Sequence, residues 1–138
     1  MNNLRQIQVL CVDDHPIVLE GLTTVINSQT DMKVVADARD GQTALEKYRD
    51  HQPDVVVMDL RLPGIGGVEA TARIRQEFPA ARIIILTMYE GDEDIHRALE
   101  AGAQAYLLKN MMGQTLLQTI REVQAGRRAW PNTLLASR

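Results

Sequence analysis

Five short apolar runs alternate along this chain with longer stretches in which apolar residues recur every three or four positions. The runs are Ile7-Gln8-Val9-Leu10-Cys11-Val12, Lys33-Val34-Val35-Ala36, Val55-Val56-Val57-Met58, Arg82-Ile83-Ile84-Ile85-Leu86 and Ala105-Tyr106-Leu107-Leu108. Near-continuous runs of this length predict strands of a parallel sheet, covered on both faces. Between and after them come five helical stripes: Val18, Leu22, Val25 and Ile26; Ala44, Leu45 and Tyr48; Val68, Thr71, Ile74 and Phe78; Ile95, Ala98 and Leu99; Leu116, Leu117, Ile120 and Val123. Spacing of that kind buries one helix face. The punctuation agrees. Pro16 suits a first helical turn, and Asp40 is placed to cap the second helix. Pro79 ends the third, Asp92, Glu93 and Asp94 suit the positive start of the fourth, and Gly102 and Gly126 close the last two. The expected architecture is α/β, a doubly wound (βα)5 unit around a five-stranded parallel sheet.

In a parallel sheet every strand points the same way, so the residues just past each strand converge on one edge, where open α/β sheets bind ligands. Here those residues are Asp13 and Asp14, then Asp59, Thr87 and Lys109. Adjacent carboxylates disfavour one another's charge, and Asp59 adds to the conflict. A hard divalent cation resolves it: magnesium takes oxygen ligands and often binds through one or two carboxylates together with phosphate oxygens. One carboxylate can then act as a nucleophile toward a phosphoryl group. Lys109 supplies positive charge, and the Thr87 hydroxyl can donate to a phosphoryl oxygen.

Composition narrows the alternatives. At 138 residues the chain suits one domain, and 45% apolar content is enough for a packed core. The formal net charge of −3 offers no broad attraction for nucleic-acid phosphates. Cys11, the single cysteine, lies inside a strand and reads as a small core residue, which fits a reducing compartment. No apolar stretch is long enough to span a bilayer and the first residues lack a signal-peptide pattern, so the cytoplasm is the expected location. His15 reads as a helix-start residue rather than a magnesium ligand. His51 and His96 read as solvated, and Met111 and Met112 as core filling near the last helix.

The segments Val12-Asp13-Asp14-His15-Pro16, Val57-Met58-Asp59-Leu60-Arg61-Leu62-Pro63-Gly64, Leu86-Thr87-Met88 and Tyr106-Leu107-Leu108-Lys109, in that order on strand ends, resemble the receiver domain of bacterial two-component response regulators. Asp-Asp-His-Pro, Leu-Thr-Met-Tyr and the tail Ala-Gly-Arg-Arg-Ala-Trp-Pro are similar to receivers of the NarL/LuxR type. The resemblance implies a flavodoxin-like strand order of 2-1-3-4-5 and a receiver over residues 1–126. Residues 127–138 would open a linker to a helix-turn-helix DNA-binding domain that lies outside this chain. It further implies a switch rather than an enzyme, with Asp59 as phosphoacceptor for a sensor histidine kinase. Magnesium would be held by Asp14, by Asp13 mainly through water, by Asp59 and by the backbone carbonyl of Arg61. Thr87 and Lys109 would grip the phosphoryl oxygens, and Tyr106 would swing inward with Thr87. The altered surface, and a possible homodimer face, would comprise helix 92–101, strand 105–108 and helix 112–125, although other helices could also pair. DNA would be reached only through the further domain, and no membrane is involved.

Departures from the commonest receiver pattern also carry expectations. Gly66 replaces an aspartate that often caps the following helix, and Met88 is larger than the usual residue after the threonine. Arg61, Met88 and Tyr89 are expected near the mouth of the site, setting the lifetime of the aspartyl phosphate. Other functions fit less well. An aspartyl-phosphate phosphatase needs an acid two residues past its nucleophile, where this chain has Arg61. A flavin carrier needs a phosphate loop where this chain has Asp13 and Asp14, and no P-loop motif occurs. A receiver-like module that signals without phosphorylation is the remaining alternative.

Overall fold

A computed structural model describes residues 5–88 and 91–127, except for the side chain of Asp92. Tyr89, Trp130 and most of the predicted linker lie outside the described residues. The elements alternate as predicted: β1 (Ile7–Val12), α1 (Pro16–Asn27), β2 (Met32–Ala38), α2 (Gly41–His51), β3 (Val55–Met58), α3 (Gly66–Glu77), β4 (Ile83–Thr87), α4 (Asp92–Ala101), β5 (Ala105–Leu108) and α5 (Gln114–Gln124). All strand pairs are parallel, in the order β2-β1-β3-β4-β5.

The period-two geometry of strands splits the apolar runs between two cores. Val9, Cys11, Val55, Val57, Ile84, Leu86, Ala105 and Leu107 pack with Leu19, Leu22 and Ile26 of α1 and with Leu116, Leu117, Ile120 and Val123 of α5. Leu10, Val12, Val56, Met58, Ile83, Ile85 and Tyr106 pack with residues of α2, α3 and α4 on the other face. All four residues of β3 are buried, because β3 is central and has helices on both sides. Met111 and Met112 pack against the α1/α5 core.

The structure departs from the sequence pattern in several places: β4 runs from Ile83 to Thr87 rather than from Arg82 to Leu86, so Thr87 ends the strand instead of following it. β2 is an edge strand and runs from Met32 to Ala38, with Lys33 and Asp37 exposed, so its apolar run understates its length. Its register with β1 shifts after Val9↔Val34 to Leu10↔Ala36, leaving Val35 as the extra residue of a bulge. In α1 the buried stripe is Leu19, Leu22 and Ile26, with Val18 and Val25 only half-buried. The helix predicted over 112–125 begins at Gln114, after a 3₁₀ turn, Lys109–Met111.

The two ends of α2 differ in quality. At its start Asp40 Oδ1 accepts a hydrogen bond from Thr43 N at 2.7 Å, meeting a donor the helix cannot satisfy internally. At its end Gln52 takes a left-handed conformation, φ 40°, in which an L side chain is strained. Asp40→Ala is expected to cost about 1 kcal/mol. Gln52→Gly is expected to stabilise by about 0.5 kcal/mol, after the extra chain entropy of glycine is deducted. Urea unfolding of both variants should give shifts of opposite sign, and a shared sign would contradict this account.

Candidate functional site

The parallel register carries the polar residues to one edge. Asp59 N donates to Val12 O at 3.0 Å and Asp13 N to Ala38 O at 3.1 Å, so both acids leave the sheet as its ladder ends. The pairs Met58↔Ile85 and Thr87↔Leu108 bring Asp59, Thr87 and Lys109 to the same edge. Between β1 and β3 the chain order reverses, with α1 on one face of the sheet and α3 on the other. That is the switch point at which doubly wound folds bind ligands.

Lys109 organises the edge. Its Nζ lies 2.8 Å from Asp13 Oδ2 and 3.2 Å from Asp59 Oδ2, and both carboxylates are almost wholly buried. The other oxygens have different partners. Asp59 Oδ1 accepts from Arg61 N at 3.3 Å, and Asp13 Oδ1 accepts from His15 N at 2.9 Å. The His15 ring nitrogen Nδ1 lies 3.0 Å from Asp13 Oδ1 and 3.0 Å from Asp14 Oδ1. Thr87 is buried, and Tyr106 lies buried beside Ile85 on the same sheet face. Arg61 and Met88 are exposed; Met88 is 79% exposed, which leaves its thioether free at the rim. His51 and His96 are exposed.

The electrostatics follow from that packing. Burial, and then the charge of Asp13, push the Asp59 carboxyl above the usual carboxylate range, against the opposing pull of Lys109. Burial alone would favour neutral Lys109. Its hydrogen bond to Asp13 and the charges of Asp59 and Asp13 outweigh that and hold the ammonium firmly protonated. Cys11, in the strand below, has its thiol pushed far up by burial and is no nucleophile.

Donors for a cation are present. Asp13, Asp14, His15 and Asp59 each offer a ligand atom, all within 4.8 Å of one another. Asp14 Oδ1 is buried without a hydrogen-bond partner, since the His15 nitrogen near it lies off the line a hydrogen bond requires. A buried, unpartnered carboxylate oxygen in an oxygen-rich cluster fits magnesium.

One residue with a structural role at the site was not recognised in the sequence. A Cβ on Gly67 would lie 2.1 Å from Asp59 O and 2.7 Å from Leu60 Cα, so only glycine lets the start of α3 press on the acceptor loop. Gly67 also donates its N–H to Leu60 O at 2.9 Å. Nothing in the run Gly64-Ile65-Gly66-Gly67 distinguishes it from its neighbours. Gly66, expected at the cap position, is the first residue of α3; Ile65 stands at the N-cap and makes no side-chain cap.

The fold and this edge define a phosphorylation-activated switch module. The chain belongs to the response regulator receiver domain family, whose model matches residues 9–121. A two-component response regulator of the LuxR family from Aurantimonas sp. SI85-9A1 is 48% identical with a TM-score of 0.86, over 90% of this chain and 89% of that one. A DNA-binding response regulator of the LuxR family from Staphylococcus aureus is 26% identical with a TM-score of 0.80, over 85% of this chain and 98% of that one. The oxygen regulatory protein NreC of Staphylococcus haemolyticus is 42% identical over 120 residues, 86% of this chain but 55% of NreC. The chain thus spans about half the length of the curated relatives it matches.

The raised pKa of Asp59 has a consequence for metal-free stability. The folded state holds that proton more tightly than the unfolded state, so stability from this group is lost as pH rises through the folded pKa. Asp59→Asn should therefore be more stable than the parent at pH 7. The gain should shrink as pH falls through the raised pKa and vanish below the ordinary carboxylate value of about 3.9. Thermal unfolding with metal chelated tests this; equal midpoints at pH 7 would contradict it.

Proposed function

We propose that Asp59 accepts a phosphoryl group from the phosphohistidine of a sensor histidine kinase and that the aspartyl phosphate switches an output surface. The observation that carries the reading is the Asp59 carboxylate, buried at a sheet edge between Lys109 and the Asp13/Asp14 pair in a receiver-family chain. An Asp59 oxygen attacks phosphorus, the P–N bond to the donor histidine breaks, and the leaving imidazole keeps the bonding pair. Magnesium, when held by Asp13, Asp14, Asp59 and the backbone carbonyl of Arg61, neutralises charge on the transferring phosphoryl oxygens. Lys109 adds a fixed ammonium on the other side of the same carboxylate, and the Thr87 hydroxyl donates to a phosphoryl oxygen. The domain is a phosphoacceptor that at most assists its own phosphorylation and dephosphorylation, not a turnover enzyme.

The switch follows from where Thr87 and Tyr106 sit. Both lie on the α2–α4 face of the sheet, Tyr106 two register pairs behind Thr87. Pulling Thr87 toward a phosphoryl group changes the space over Tyr106, and the aspartyl phosphate stabilises that arrangement over the other. The surfaces affected are α4, β5 and α5, which also offer a face for a homodimer. Transcription control through a DNA-binding domain beyond this chain fits the LuxR-family neighbours, and a cytoplasmic location fits a kinase partner of this kind. Among the described residues no helix is long and apolar enough to cross a membrane.

Intact mass after incubation with magnesium and acetyl phosphate tests the acceptor. One phosphoryl adduct is expected on the parent and none on Asp59→Asn or without magnesium; an adduct on the variant would refute Asp59. If a kinase phosphodonor also leaves the folded parent unmodified, the phosphorylation-independent module replaces this reading. Arg61, Met88 and Tyr89 are proposed to set the lifetime of the phosphorylated state from the rim. Replacing each by Ala should change the hydrolysis rate by about threefold or more, at least about 0.6 kcal/mol of barrier. Unchanged decay in all three would remove that role.

A further inference from the structure

The His15 ring hydrogen-bonds Asp13 rather than the helix it precedes. It stands at the N-cap of α1, yet its ring makes no capping hydrogen bond to the helix. The ring is instead drawn over the acid pair, with Nδ1 3.0 Å from an oxygen of Asp13 and 3.0 Å from an oxygen of Asp14. The ring and the carboxylates of Asp13, Asp14 and Asp59 each offer a ligand atom, all within 4.8 Å of one another, so one cation could draw on the nitrogen as well as the oxygens. The backbone supports the placement, since His15 N also bonds Asp13 Oδ1 at 2.9 Å and anchors the residue to the acid it would share.

We propose that His15 is a nitrogen donor to the divalent-cation site and makes that site selective for borderline first-row cations, such as cobalt, nickel or zinc, over magnesium. This rests on reading the acid cluster as a cation site. The carboxylate oxygens are already divided: Lys109 holds Asp13 Oδ2 and Asp59 Oδ2, while Asp13 Oδ1 and Asp14 Oδ1 lie beside the imidazole. Asp14 Oδ1, buried without a hydrogen-bond partner, is the oxygen that gains most from an ion. Magnesium takes oxygen and keeps its waters, so it gains little from the ring. Imidazole suits the later divalent metals, whose affinities rise toward nickel and copper. When Nδ1 takes the metal, its hydrogen bond to Asp13 Oδ1 is given up and the ring proton resides on Nε2. The ring is 62% exposed, open to an arriving hydrated ion.

The test is calorimetric titration of the unphosphorylated 138-residue chain with Mg²⁺ and with Co²⁺. It uses a His51→Gln/His96→Gln parent, so that the other two histidines contribute nothing. His15→Ala and His15→Gln are compared with that parent; the second keeps a polar side chain without a ring nitrogen. Cobalt should bind the parent more tightly than magnesium. Both variants should lose about tenfold or more of the cobalt affinity while magnesium affinity changes by less than about twofold. Paramagnetically shifted His15 ring protons should be seen in the parent. Unchanged cobalt affinity overturns the proposal, as does a parallel loss of both metals, which would mean that His15 only positions the acids. Cobalt affinity that depends on His15 in a chain blind to magnesium would sustain His15 as donor and refute the magnesium reading alone.

Discussion

Lys109 sets one ammonium against two buried carboxylates, 2.8 Å from Asp13 and 3.2 Å from Asp59, and the rest of the edge depends on that unequal pairing. Removing charge from water is costly, and one cation cannot balance Asp13, Asp59 and the nearby Asp14. The surplus shows as an Asp59 carboxyl held above its usual range and an Asp14 oxygen left without a hydrogen-bond partner. A site built only for stability would not retain this imbalance. The proposed site, which receives a divalent cation and a phosphoryl group together, needs it, because the deficit draws the cation in and cation and ammonium then meet the incoming anion.

The scaffold holds these groups without strain at the site itself. Each polar residue ends or directly follows a strand whose side chains alternate between two cores, so its backbone position is fixed by apolar packing on both faces. The acceptor loop is fixed from outside as well, by the start of α3 pressing on Asp59 and Leu60 through Gly67. Cores of this density respond to local change by moving between discrete arrangements rather than by yielding gradually. Thr87 and Tyr106 share the face on which α4 packs, and that shared face is the route proposed above for a charge added at Asp59 to reach an exterior surface.

The helix ends and loops around this edge contribute in proportion to their contact with it. Arg121 ties α5 to the α1–β2 turn through Asp31 and Gln29. Arg75 lies over Gly102 at the end of α4 and bonds the carbonyls of Pro79 and Ala81. Both contacts join elements that packing already brings together, and exposed pairs of this kind add little to stability. Their use is to keep α4 and α5 in register with the sheet whose edge carries the chemistry.

The five strands, the five helices and the identity of the polar residues past the strands were legible in the sequence. Strand and helix periods are local, and in a parallel sheet strand direction alone places Asp13, Asp14, Asp59, Thr87 and Lys109 on one edge. Where the pattern misled, the cause was tertiary. Edge strand β2 has exposed Lys33 and Asp37 that hide its length, and α1 turns Leu19 rather than Val18 into the core because of how it lies on β1 and β2. Which oxygen of Asp13 meets Lys109 and which meets His15, the need for glycine at 67, and the isolation of Asp14 Oδ1 were decided only by the folded chain. Each is set by distances of about 3 Å between residues far apart in sequence or by one backbone pressing on another, and no local period encodes such a distance.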